Sequence, residues 1–269
     1  MTLISLLKNI KHRTLKYRFC VFKTIIANFR LLSFKEAIHF PLVIYGPTQL
    51  VLSRAKIKLN VKPRFGLIKW GYNQDFFVPT KMPSMLFMIN GLLIINGPVR
   101  VSAGCTFRVS GKVNLGKCCR IGGNCKILCN NYVEIGDYSA MAFGSIVCDT
   151  NFHYIQYQNS VADCNGSVII GNLVFIGNNA SIVKGAKIPQ RAIVSSKSFV
   201  NKDFSAAPNG ALIAGSPAKI LRDGYYRIFS PKLENKIQNY FKDNHDKQVY
   251  QISDKDIDIA DDIYETLFK

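Results

Sequence analysis

At 269 residues, 48% hydrophobic and 19% charged, the chain is long enough to bury a substantial core and is not composed like a disordered segment. No stretch approaches the roughly 20 uninterrupted apolar residues of a spanning helix, which argues against a membrane-embedded class. The formal charge of +18 calls for an anionic partner, whether nucleic acid, an acidic membrane face or phosphates, and does not choose among them.

In chain order, residues 1–40 carry eight Lys or Arg against one Glu. Leu3, Leu6, Leu7 and Ile10 fall on one helical face, and Leu15, Phe19, Phe22 and Ile26 on another. The segment reads as a basic amphipathic helix that either caps the following fold or lies on an anionic membrane through residues 1–26. Lys8, Lys11, Arg13, Lys16 and Arg18 break any apolar signal core, so a cytoplasmic location is expected, peripheral to the inner membrane face if the membrane reading holds. Residues 41–100 hold strand-like runs (42–45, 57–61, 92–95) interrupted by Gly46, Pro47, Pro63, Pro79 and Pro83, with an insertion around 72–85.

From there a six-residue period takes over. Ile170, Ile176, Ile182, Ile188, Val194 and Val200 are six residues apart. Ala103, Val109, Leu115, Ile121 and Ile127 repeat the frame, and after a two-residue slip so do Ile135, Met141 and Val147. In the block from Ile170, small or β-branched residues precede each by two positions, and across the blocks Gly follows many by one. Neither a helix of period 3.6 nor a strand of period 2 spaces aliphatic residues this way. A triangular coil of short strands does, with three six-residue sides per 18-residue rung and Gly letting the chain turn each corner. The fold class is therefore all-β, a left-handed parallel β-helix over 41–222, flanked by helical segments over 1–40 and 223–269. The period fails over 148–167 and resumes at once, which marks a loop extruded from the side of the coil. Residues 231–242 read as an amphipathic helix after Pro231.

Eight cysteines show no zinc spacing, and Cys119 and Cys125 stand where other repeats carry Val or Ala, so they read as reduced apolar filler with no metal expected. Of four histidines, His12, His39 and His245 lie in polar or turn contexts. His153 differs, sitting at the root of the extruded loop in Asp149-Thr150-Asn151-Phe152-His153. Loops on rigid scaffolds are where catalytic groups concentrate. An imidazole, with an ordinary pKa of about 6.5, suits proton removal from a hydroxyl. Asp149 either orients His153 through its other ring nitrogen or simply forms the turn.

The hexads, the loop histidine and the closing run 214–222, with its Gly-Ser-Pro-Ala-Lys core, together resemble the hexapeptide-repeat acyltransferases. The closer likeness is to bacterial sugar O-acetyltransferases of the maltose/galactoside and capsule-biosynthesis type, and Ala27-Asn28-Phe29-Arg30 through Phe40-Pro41 resembles the leader of capsule acetyltransferases. The resemblance implies a homotrimer that transfers acetyl directly from acetyl-CoA to a saccharide hydroxyl, with His153 as general base. It implies that Asn178, Ser196, Asn201, Lys202, Lys219 and Arg222 line a CoA groove between subunits, and that Asn130, Asn131 and Asp137 face the acceptor. Lys197 and Asn201 depart from the usual small residue and Thr, which puts the Ser196 and Asn201 contacts in question. N-acetylation of an amino sugar or nucleotide-sugar uses the same scaffold, and a non-catalytic β-helix scaffold is the alternative of another class. A nucleic-acid role is not expected, because no recognisable module accompanies the charge.

Overall fold

The computed structural model describes residues 19–72, 79 and 82–253. The parts of the two terminal helical segments within 1–18 and 254–269, and most of the expected insertion, lie outside these residues. The chain divides into two compact units, Met1–Tyr225 and Tyr226–Lys269.

In the first unit, successive strands visit three parallel sheets in turn, so the chain winds as a three-sided coil. Face one stacks Leu42–Ile44, Ile68–Trp70, Val99–Val101, Cys119–Ile121, Ala140–Met141, Phe175–Ile176, Ile193–Val194 and Leu212–Gly215, and the antiparallel strand Ala218–Arg222 closes it. Face two runs from Thr48–Ser53 to Phe199–Val200, and face three from Lys56–Leu59 to Lys187–Ile188. All fourteen hexad residues are buried, because each strand turns its aliphatic side chain inward, where equivalent residues of the neighbouring rungs stack on it.

The rungs are not uniform. Equivalent residues are 20 apart in the first half (Arg100↔Arg120, Lys126↔Ile146), 35 apart across the extruded segment (Ala140↔Phe175) and 18 apart beyond it (Phe175↔Ile193). The uniform 18-residue rung expected from the hexads therefore holds only after residue 167. Earlier rungs carry two extra residues between faces two and three. For that reason Val101 and Phe107, not Ala103 and Val109, stack on Ile121 and Ile127.

The corners also work differently from the expectation. The left-handed residue of each corner is the third after the hexad aliphatic: Asn124, Tyr138, Gly144, Leu173, Asn179, Gly185, Arg191 and Lys197 all have φ between 56° and 82°. The glycines one position after the hexad serve close approach. A Cβ on Gly177 would stand 2.6 Å from the Ser196 amide nitrogen of the next rung, so a side chain there would push the rungs apart. Lys197 is thus a left-handed corner residue, and no small side chain is required at its position.

The first edge strand is covered by helix α1 (Val21–Leu31). Thr24, Ala27, Asn28 and Leu31 form its buried face. Asn28 donates through Nδ2 to the Leu42 carbonyl (2.6 Å) and accepts from the Leu42 amide (3.1 Å), while Thr24 Oγ1 accepts from the Ile44 amide (3.0 Å). These bonds satisfy backbone groups that an open edge would leave unpaired. A short helix, α2 (Phe34–Ala37), follows with a Ser33–Glu36 capping box.

In the second unit, α3 (Pro231–Asp243) begins at Ser230, whose Oγ accepts from the Leu233 amide, with Pro at the first turn. Tyr240 packs edge-on against Phe241 and Tyr250.

None of the eight cysteines is in a disulfide. Cys105, Cys119 and Cys125 donate to the carbonyls of Gly122, Gly136 and Ala142 at 3.0–3.1 Å. Burial pushes the Cys119 thiol far above its ordinary range, with Asp137 adding to the shift, so it packs as a neutral, inert group.

Candidate active site

The extruded segment leaves the coil at the corner between faces two and three, after Ile146–Cys148, and rejoins it at Ser167–Ile170. Its base is closed by an antiparallel bridge between Thr150 and Asn165, a bond from the Asn151 amide to the Cys164 carbonyl (2.8 Å) and one from the Gly166 amide to the Asp149 carbonyl (2.8 Å). Its tip is a hairpin pairing Gln156–Tyr157 with Ser160–Val161.

Asp149 is fully buried. Its Oδ1 accepts from the Asn130 amide and its Oδ2 from the Asn131 amide, each at 2.8 Å. Both oxygens therefore grip the corner one rung back. Asn131 Nδ2 in turn donates to the Gly166 carbonyl (2.7 Å), so the two ends of the loop and the preceding corner form one hydrogen-bonded knot.

Above the knot, Phe152 adopts a left-handed backbone (φ 60°). Its amide donates to Thr150 Oγ1 (2.9 Å), and the Arg108 guanidinium lies 4.9 Å from its ring centroid. Arg108 Nη1 also donates to Asn130 Oδ1 (3.2 Å). The residue immediately before His153 is thus pinned on two sides. His153 itself is exposed and makes no hydrogen bond among the described residues, which leaves its ring nitrogens available to an incoming group.

The other sequence-derived candidates separate by corner. Asn130, Asn131, Asp149 and His153 share the corner between faces two and three. Asn201 and Lys202 continue that corner, since Asp203 bridges back to Lys187 and the Phe204 amide donates to the Lys187 carbonyl (2.8 Å). Asn178 and Ser196 lie at the corner between faces one and two, where the Lys197 amide donates to the Asn178 carbonyl (2.9 Å). Lys219 and Arg222 are on the closing strand of face one, opposite Ala214 and Leu212. Asp137 is at the third corner, between faces three and one. There its Oδ1 accepts from the Lys117 amide (2.8 Å) and its own amide donates to Asn172 Oδ1 (2.8 Å), so it fastens rungs together away from the loop. Among the described residues no group of His, Cys, Asp and Glu is arranged to hold a metal ion.

No family model matches the chain. It is 43% identical over 56 residues to the Bacillus subtilis (strain 168) acetyltransferase YvoF, covering 21% of this chain and 31% of the relative. It is 39% identical over 57 residues to a chloramphenicol acetyltransferase of Klebsiella aerogenes, covering 21% and 26%. The chain thus spans about a third or less of the length of these curated relatives. Among solved structures, the polySia-specific acetyltransferase NeuO superposes with a TM-score of 0.51 at 19% identity, over 78% of this chain and 91% of that one. The chain resembles the hexapeptide-repeat acyltransferases. The likeness to NeuO extends through most of the coil and concerns its fold.

Two residues of the loop corner escape a reading of the sequence: Arg108 and Lys184. Lys184 donates through Nζ to the Asp163 carbonyl, tying the loop to the rung below. Thr150 stands within the Asp-Thr-Asn-Phe-His run and carried a signal. Arg108 precedes the loop by two rungs, and nothing local distinguishes it.

Proposed function

We propose that the protein is an O-acetyltransferase that moves acetyl from acetyl-CoA to a saccharide hydroxyl, with a left-handed coil as scaffold and His153 as general base. The observation that carries this is the exposed imidazole presented beside a knot of buried polar groups on an otherwise regular solenoid. The short, high-identity matches to acetyltransferases support it. In the reaction, His153 takes the hydroxyl proton as the oxygen attacks the thioester carbonyl. Collapse of the tetrahedral intermediate expels the CoA thiolate, and the proton passes from His153 to that sulfur. Asp149 is a positioning residue, because its carboxylate holds the corner on which the histidine loop stands.

The proposed CoA contacts fall at two corners of the prism and on its closing strand: Asn201 and Lys202 on the His153 corner, Asn178 and Ser196 at the corner between faces one and two, and Lys219 and Arg222 on the strand that closes face one. Within one chain these corners lie on opposite sides of face two. Two copies meeting corner to corner around a three-fold axis bring both sets to one crevice, which supports a homotrimer. Light scattering giving a trimer of 30.2 kDa chains is the expected result, and a monomer that turns over would remove this reading. Asn130 and Asn131, at the His153 corner, are the acceptor-facing residues of the proposal. Asp137, at the third corner, lies away from His153, and its carboxylate accepts from the Lys117 amide.

A peripheral place on an anionic membrane is supported by α1 and α2. Opposite the face that caps the coil, Phe22, Ile26 and Phe34 are 82%, 53% and 72% exposed; Lys35 adjoins Phe34 in sequence, while Lys23 and Arg30 donate to the Thr48 and Leu52 carbonyls of the coil. Such an exposed apolar face suits a lipid surface. Flotation with anionic vesicles should carry the protein up, and Phe22→Ser with Phe34→Ser should leave it at the bottom.

The experiment for the reaction offers hydroxyl sugars and amino sugars with radiolabelled acetyl-CoA. Label in an alkali-labile ester is expected. Label found only in an alkali-stable amide would move the assignment to N-acetylation.

A further inference from the structure

The positive charge is concentrated in the first half of the coil. Residues 41–133 hold thirteen Lys or Arg and one acidic residue, Asp75, whereas residues 134–225 hold seven against six. On face one this excess is ordered by register. Lys69, Arg100 and Arg120 occupy the same outward position on three consecutive rungs, so their backbone positions stand about 4.8 Å apart along the coil, the spacing of paired strands. Ala140 takes that position on the next rung and ends the ladder. All three cations are half-buried, and Tyr45 and Tyr72 pack beside them with ring centroids 5.1 Å apart. Burial and the neighbouring cations depress the affinity of Lys69 and Arg100 for their protons. Stacked like charges on adjacent strands oppose folding, and a structure that keeps them gains if an anion lies along them.

We infer that the Lys69–Arg100–Arg120 ladder is a binding site for an extended glycan chain bearing carboxylates, held along face one. Each of the two guanidiniums, on adjacent rungs, suits a carboxylate through forked hydrogen bonds. The ladder covers roughly 10 Å over two rung steps, longer than a single phosphate. A single-stranded nucleic acid would want a run of flat aromatic platforms, whereas Tyr45 and Tyr72 meet edge to face, with an interplanar angle of 72°, and the Lys69 ammonium already lies over the Tyr72 ring at 5.4 Å. The choice of a glycan rests on the saccharide reading above.

The test is direct binding without acetyl-CoA, using polygalacturonate oligomers, neutral dextran oligomers, a single-stranded oligothymidylate and inorganic pyrophosphate as probes. Wild type should bind polygalacturonate in preference to the other three. Arg100→Gln with Arg120→Gln should weaken that binding at least about tenfold and flatten its salt dependence, with thermal stability unchanged or higher. Lys69→Gln, at the end of the ladder, gives a second reading should the double variant fold poorly, and should weaken binding severalfold. Equal binding by the variants, absent wild-type binding, or oligothymidylate or pyrophosphate binding as tightly as polygalacturonate would each overturn the inference. Because no acetyl transfer is read, failure here leaves the reaction untouched. Conversely, retained ladder binding in a protein that transfers no acetyl would defeat only the reaction.

Discussion

Replacing Asp149 by Ala removes the carboxylate that accepts from two backbone amides, Asn130 and Asn131, at 2.8 Å each. A donor deprived of a buried partner loses on the order of 1–3 kcal/mol. Asn131 is exposed and Asn130 half-buried, so water replaces part of the loss, and a total of about 2–4 kcal/mol is expected. For a unit of this size each kcal/mol moves Tm by roughly 2–4 °C, giving a fall of about 5–15 °C by circular dichroism. Hydrogen exchange at the two amides should quicken at the same time. Asp149→Asn keeps one acceptor and turns an NH2 toward the other amide, so it should lose about half as much. A Tm within about 1 °C of wild type, with slow exchange retained, would refute the account of Asp149 as the clamp of the corner. An unchanged Tm with a displaced pH–rate profile for Asp149→Asn would instead assign it to the ring of His153.

Other outcomes follow from the same geometry. Ile127→Ala should destabilise by about 2–5 kcal/mol in chemical denaturation, as a fully buried residue flanked by rungs that cannot collapse into the gap. Gly177→Ala should destabilise by about 1–3 kcal/mol, since its Cβ meets backbone of the next rung, whereas Lys197→Gly, at a left-handed corner, should be neutral or mildly stabilising in the same assay. Asp203, bonded to Lys187 and Ser205, has its pKa lowered to about 2. Its folded value lies below the ordinary carboxylate range, so its small contribution is present above that range and lost as pH falls toward about 2. A carboxyl carbon NMR titration with a midpoint near 4 would contradict this.

The coil was legible because one class of residue recurs at a fixed spacing, and every one of those positions is buried. Rung length was not legible, because the two extra residues between faces two and three leave apolar residues at both framings: Val101 and Ala103 are both buried, as are Phe107 and Val109. That offset hid part of the site. With 18-residue rungs Arg108 would sit over Lys126, whereas the actual register places it beside Leu128, within reach of Asn130 and the loop. His153 stood out because the period stops there. Asp149 was readable as a turn former or as an orienting carboxylate, and only its two amide partners show where its oxygens point. The glycines after each hexad were visible as a pattern, yet their reason is the rung below, which no local reading contains.

The most direct test of the central claim is acetyl transfer to a saccharide by wild type and His153→Ala. Since His153 is exposed and unbonded among the described residues, the variant should keep its Tm and assembly while kcat falls by about 10²–10⁴-fold, the loss expected of a general base. An undiminished rate in the folded variant would contradict it.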